Sequence, residues 1–209
     1  MTSASAAQSR IDAWVAAGDV NACLLLSRLG LTELPPLPAE VLSLDCSENC
    51  LSELPPLPGS MLELNCDQNR LTHLPPLPDS MLELYCRHNQ LTRLPLLPDS
   101  MLVLRCRSNQ LTHLPPLPGG LMQLTCSWNP LKTLPPLPSS LRILRCYNTA
   151  PSTTGSLRHT IIHRLICHNN PVRALPQLPP SLLRLKCDLP HPHQRIHGII
   201  NSCKGSLRT

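Results

Sequence analysis

The sequence predicts a solenoid of short stacked turns. A parallel β-sheet lines its concave face, the convex side is extended and polyproline-II-like, and a short helix caps its N-terminal end. Three observations predict this. The chain aligns on itself at a period of 20 residues, in blocks beginning at Leu31, Leu51, Leu71, Leu91, Leu111 and Leu131. Cysteines keep the beat at Cys46, Cys66, Cys86, Cys106, Cys126 and Cys146, then at Cys167 and Cys187 after one step of 21. Each block opens LxxLPxLP and closes xLxCxxN, so that Asn49, Asn69, Asn89, Asn109, Asn129 and Asn170 follow their cysteines. A unit this short cannot close a core alone, and stacked units must share one.

The stretch "VLSLDCSENCL" at 41–51 fits LxxLxLxxNxL, the leucine-rich-repeat pattern. Leu44 and Cys46, and their equivalents, should point inward from a short strand while the residues between them point outward. Parallel strands about 4.8 Å apart then form one sheet. The asparagine should face inward and satisfy backbone groups where the strand turns away, since a buried turn cannot leave them unpaired. The repeats occupy 31–188, about eight in number. The seventh, from about Pro151, loses its LPxLP, and the eighth recovers it as "VRALPQLPPSLLRLKC". Thr149 takes the asparagine position of the sixth.

The chain holds 25 prolines in 209 residues, which without a period would suggest disorder. Here the prolines sit at fixed places in the repeat. They favour polyproline II, which crosses back over the convex side in fewer residues than a helix. Aromatics are 2% of the chain and Phe is absent, so aliphatic packing must carry the fold. The recurring cysteine occupies a position where Leu or Val would also fit, and free Cys behaves as a small hydrophobe. Side chains in register run parallel and do not converge as a disulfide requires. Buried reduced thiols are therefore expected, as in a reducing compartment.

Upstream, residues 10–30 are expected to form the helical cap, with Ile11, Trp14 and Val15 on one side to cover the open sheet end. Residues 1–9, "MTSASAAQS", are expected to be disordered and compatible with an export segment, and 189–209 to form a tail. No stretch reaches the length of a membrane span. The run Ala22 to Leu26 is too short for a cleaved signal and lacks a basic flank.

Charge is unevenly placed. Residues 1–68 hold two basic residues against nine acids, a balance of −7, and residues 69–209 hold sixteen against four, +12, which together give the net +5. The molecule should have two differently charged ends.

Short repeats bearing LPxLP resemble the bacterial effectors of the IpaH/YopM type, and the stretch "LSRLGLTELPPLP" looks like that family's junction of helical cap and first repeat. The resemblance covers about residues 10–187. It implies delivery by a type III secretion system, without a cleaved signal peptide, and action in the host cytoplasm; the alternative location is the bacterial cytoplasm. Many such effectors carry a C-terminal ubiquitin-ligase domain whose nucleophile lies in a Cys-x-Asp setting. Cys187-Asp188 belongs to the repeat ladder, and Cys203 has no acid near it, so no catalytic residue carries over. The expectation is a non-catalytic protein-binding module; the alternative is a truncated, substrate-recognition part of an E3 ubiquitin-ligase effector. Neither reading calls for a cofactor.

The outward strand residues should line the concave face, acidic at first (Asp45, Glu63, Asp67, Glu83) and basic from Arg87 onward. Three of the four aromatics, Tyr85, Trp128 and Tyr147, fall on or beside it, among Arg87, Arg105, Arg107 and Arg145. Trp, Tyr and Arg are the residues of binding hot spots. These seven form the predicted contact patch for an acidic surface of a host protein. A solvated charged face with incidental aromatics is the plainer reading. Nucleic acid could meet the basic half, but the acidic strands would repel it. The PPLP segments resemble WW or SH3 ligands, yet those prolines are used in packing. His191, His193, His197 and Cys203, with Cys187, have ligand chemistry, but their spacing matches no strong zinc pattern, so no metal site is assigned.

Overall fold

The computed structural model describes residues 2–149, 160–170, 178–187 and 200–201. Among the described residues one helix, α1 (Ser3–Ala17), precedes ten short strands: β1 (Leu24–Leu25), β2 (Ser43–Asp45), β3 (Glu63–Asn65), β4 (Glu83–Tyr85), β5 (Val103–Arg105), β6 (Gln123–Thr125), β7 (Ile143–Arg145), β8 (Arg164–Ile166), β9 (Arg184–Lys186) and β10 (Ile200–Asn201). They form one sheet whose spatial order is the sequence order. Every pairing is parallel. The register repeats, with Leu44, Leu64, Leu84, Leu104, Leu124 and Leu144 in one row. The single step of 21 pairs Arg145 with Ile166.

Each ladder cysteine extends its strand by one bond. The Cys66, Cys86 and Cys106 amides donate to the carbonyls of Tyr85, Arg105 and Thr125 at 2.8–2.9 Å. Their side chains face the interior, where the six from Cys46 to Cys146 are fully buried, unbridged thiols. The core is otherwise rows of Leu, with Val41, Met61, Met81, Met101, Leu121 and Leu141 forming another. Burying each such side chain contributes about 1.5–3 kcal/mol. The LPxLP segments between rungs adopt neither helix nor strand. Serines tie these returns together: the hydroxyl of Ser100 donates to the Asp79 and Met81 carbonyls at 2.7 and 2.8 Å, and Ser140 repeats this on Gly119 and Leu121.

Asparagine closes every regular rung from inside. Asn109 accepts the Leu91 amide at 3.0 Å and donates to the carbonyls of Cys86 and Cys106 at 2.9 and 3.1 Å. Asn49, Asn69, Asn89 and Asn129 make the same set. The residue before each asparagine position is left-handed, with φ between 52° and 59°, from Arg28 through Trp128 and Asn148 to Asn169.

The cap departs from the sequence expectation in three ways. First, α1 begins at Ser3, inside the stretch expected to be disordered. Thr2 is its N-cap, its hydroxyl accepting the Ser5 amide at 3.2 Å, and the alanines that follow are strong helix formers. Second, Val15 is 55% exposed. Successive helical residues turn by about 100°, so Ala7, Ile11 and Trp14 define the inner face and Val15 falls beyond its edge. Trp14 is half-buried and its indole N–H donates to the Ala22 carbonyl at 2.8 Å. Third, residues 10–30 are not all cap: Leu24 and Leu25 form β1, an extra rung. "NACLLLSRLGL" repeats the pattern with Leu24, Leu26 and Leu31 buried and Leu29 in place of asparagine. At the other end, β10 lies within the stretch expected to be tail.

Candidate functional site

Strands of three residues present a buried leucine flanked by two half-buried residues on the concave face. Parallel register stacks those flanking residues in columns. One runs Asp45, Asn65, Tyr85, Arg105, Thr125, Arg145. The next lies two residues further along each rung and runs Ser47, Asp67, Arg87, Arg107, Ser127, Tyr147. The sheet therefore turns from acidic to basic at the fourth and fifth strands.

Neighbours in a column touch. The Arg105 guanidinium lies 4.9 Å from the centroid of the Tyr85 ring. The Tyr85 hydroxyl donates to the Glu83 carboxylate on the same strand. Burial first, then that bond and the Glu83 charge, push the Tyr85 phenol up to about 12. Arg87 is committed to Asp67, its guanidinium 2.6 Å from Oδ2. Arg107 lies 5.7 Å from the centroid of the Tyr147 ring, across the small Ser127. Tyr147 stacks on His168 with centroids 4.6 Å apart and planes at 12°.

Arg87, Arg105, Arg107, Arg145 and Tyr147 meet around a cavity of about 350 Å³, which Gln123, Thr125 and Ile143 complete. The structure thus brings together five of the seven residues singled out from sequence. Tyr85 joins them through Arg105. Trp128 does not line the cavity; it stands at the rim, 50% exposed. No acid lines the cavity. The Nε atoms of Arg105, Arg107, Arg145 and Arg164 are buried without a hydrogen-bond partner. Burial, then the charges of Arg164 and Arg105, lowers the proton affinity of Arg145.

Sequence reading did not single out Gln123, Thr125 and Ile143, which line the cavity, or Arg164, whose charge acts on Arg145. Arg164 pairs in register with Ile143, and only the step of 21 puts it there. Thr125 and Ser127, expected to face solvent, are 5% and 0% exposed because larger neighbours in their columns close over them. Asp67 is likewise buried, under Arg87. Among the described residues no group of three His, Cys, Asp or Glu could hold a metal ion. His191, His193, His197 and Cys203 lie outside the described residues. No described helix is long and apolar enough to cross a membrane.

A one-face parallel sheet, an asparagine ladder and extended LPxLP returns define a leucine-rich-repeat solenoid. The leucine-rich-repeat domain of a Shigella effector is 32% identical, with a TM-score of 0.72 over 80% of this chain and 77% of that one. The Yersinia pestis effector YopM is 32% identical, with a TM-score of 0.75 over 87% of this chain, and YopM of Yersinia enterocolitica is 31% identical at 0.63 over 76%. The chain belongs to the leucine-rich-repeat proteins of bacterial effector type. It spans 58% and 40% of the lengths of those two YopM chains. No protein-family model and no curated protein matches it.

Proposed function

We propose that this protein is a non-catalytic binding module, secreted by a bacterium through a type III system, that holds a host protein in the host cytoplasm by an acidic surface. The observation that carries the reading is the gathering of Arg105, Arg107, Arg145 and Tyr147 around one cavity that no carboxylate lines. Guanidinium groups beside aromatic rings supply both halves of a hot spot, charge-assisted hydrogen bonds and desolvated area. Arg87, Tyr85 and Trp128 belong to the same contact patch at its edges. The likeness to effector leucine-rich-repeat domains supports the effector reading.

Charge reversal tests it. Arg105→Glu with Arg107→Glu should release the partner in pull-downs from host lysate read by mass spectrometry, with circular dichroism unchanged. Undiminished capture by the folded double variant would refute the concave basic patch as the binding site. A ubiquitin-transfer assay on this chain is expected to be negative.

A further inference from the structure

We propose that the basic cavity is a phosphoryl site, and that the partner segment it takes is a phosphoserine- or phosphothreonine-bearing stretch with basic residues a few positions away. The inference rests on the concave face being the protein-binding face.

The first argument is the donor set. Arg105 and Arg107 come from one rung and Arg145 from two rungs on, all three lining the cavity, while Arg164, on the rung after that, acts on Arg145 through its charge. None of the four has an acidic partner among the described residues. Four unneutralised guanidiniums crowded together repel one another, and their buried Nε donors lack acceptors. The buried hydroxyls of Thr125 and Ser127, on the rung between Arg107 and Arg145, are also unpartnered. A carboxylate brings one charge and a planar pair of oxygens, which suits a single arginine. A phosphoryl group brings close to two charges and three oxygens in a tetrahedral spread. Donors arriving from three or four rungs match the second geometry.

The second argument is the floor. Thr125 separates Arg105 from Arg145 in one column, and Ser127 separates Arg107 from Tyr147 in the other. Thr125, with Gln123 and Ile143, lines the depression of about 350 Å³ between the arginines, and Ser127 lies buried beneath the neighbouring column. This is the lower end of the range of small-ligand sites.

The third argument is the other half of the face. Asp45, Glu63 and Glu83 sit on the rungs before the arginines. Glu63 lies two rungs before Arg105 and four before Arg145. At about 4.8 Å per rung and about 3.3 Å per extended residue, that separation is about three to six residues of a bound segment. A phosphoryl group in the cavity would thus leave Lys or Arg a few residues away on the carboxylates. A nucleic acid strand, negative throughout, finds no such match.

The test uses the full chain and fluorescence anisotropy. The probe is a mixed-sequence peptide pool with a fixed phosphoserine and a fixed Lys-Arg pair about four residues away. Comparison pools carry serine, carry glutamate in place of phosphoserine, or replace the basic pair with Asp-Glu. Inositol hexakisphosphate and single-stranded DNA serve as competitors. Phosphorylation should tighten binding about tenfold or more over serine, glutamate should recover only part of it, and loss of the basic pair should weaken it. Arg145→Gln and, separately, Arg105→Gln should remove the preference with the circular dichroism unchanged. Equal affinity for glutamate and phosphoserine pools overturns the proposal, as does a preference that survives both arginine variants. Arginine-dependent binding of inositol hexakisphosphate or DNA, without binding of the phosphopeptide pool, overturns it as well. If lysate capture still depends on Arg105 and Arg107 after such a result, only the phosphoryl reading falls; if it does not, the host-protein reading falls too.

Discussion

Arg87 closes over Asp67 of the preceding rung, its Nε 2.7 Å from Oδ2 and its backbone N–H 2.5 Å from Oδ1. This pair sits where the acidic columns meet the basic ones. It neutralises the one arginine of the patch that has an acid next to it in register. Arg87, at the edge of the patch, therefore has its charge satisfied within the fold.

The two partners should separate stability from binding. Asp67→Ala leaves the Arg87 amide and guanidinium without their acceptor and should cost about 1–3 kcal/mol in urea unfolding. Arg87→Ala should lower stability as well, yet weaken partner capture less than Arg105→Ala does. The reverse order in capture would mean that Arg87 leaves Asp67 to engage the partner.

The asparagine ladder predicts an asymmetry between a regular rung and the irregular one. Asn109→Ala orphans the buried Leu91 amide, leaves the Cys86 and Cys106 carbonyls one asparagine donor each, from Asn89 and Asn129, and should cost about 1–3 kcal/mol. At the irregular rung, Thr149 donates to the Cys146 carbonyl at 2.5 Å but has no amide to bridge back to the preceding rung. Thr149→Asn should restore that bridge and stabilise by about 1 kcal/mol. Thermal melts of both variants check the pair; a destabilised Thr149→Asn would mean that the rung leaves no room for the amide.

The rungs were legible in the sequence because their residues are dictated by position. Leu44, Cys46 and Asn49 each occupy a site that recurs identically, so the pattern announces burial before any coordinates. The rung of Leu24 and Leu26 escaped because Leu29 replaces the asparagine that marks the others. The candidate site was legible by column, since Arg105 and Arg145 must face the same way. Its depth was not. That Thr125, Ser127 and Asp67 are covered depends on which side chains lie above them, and the repeat does not encode this. The left-handed residue of each rung was also unread, because residues as different as Glu48, His88 and Trp128 occupy it.

Alkaline pH should unfold the protein through its thiols. Burial pushes the Cys106 thiol up to about 12, and it raises Cys46, Cys66, Cys86, Cys126 and Cys146 as well. The unfolded chain releases these protons near the ordinary value of 9.0, while the folded one holds them. For Cys106 the stabilisation is fully present below the unfolded value of 9.0 and is lost as pH rises from there towards about 12. Each thiol contributes up to about 1.4 kcal/mol per pH unit in that window. Urea midpoints measured across it should fall steeply, and Cys106→Val should make the fall shallower by one thiol's share. A slope unchanged in that variant would mean that Cys106 ionises in the folded state. Thiol reagents at pH 8 should find Cys46, Cys66, Cys86, Cys106, Cys126 and Cys146 masked until denaturant is added.

Trp128 couples the backbone to the proposed contact. Its φ is 59°, and its side chain is half exposed at the rim. A bulky residue in the left-handed region costs about 1–2 kcal/mol. The architecture demands that conformation in every rung, and at Asn148 and Asn169 the sequence meets it with a residue type that, glycine aside, tolerates it well. Trp128→Asn should therefore raise stability by about 0.5–1 kcal/mol. The same substitution removes an exposed indole of the kind that anchors interfaces, and it should weaken partner capture severalfold. Melting temperature and pull-down on one preparation read both effects. A gain in stability with capture intact would show the indole to be a bystander at the rim, whereas a loss of stability would mean that its packing outweighs the strain of its backbone.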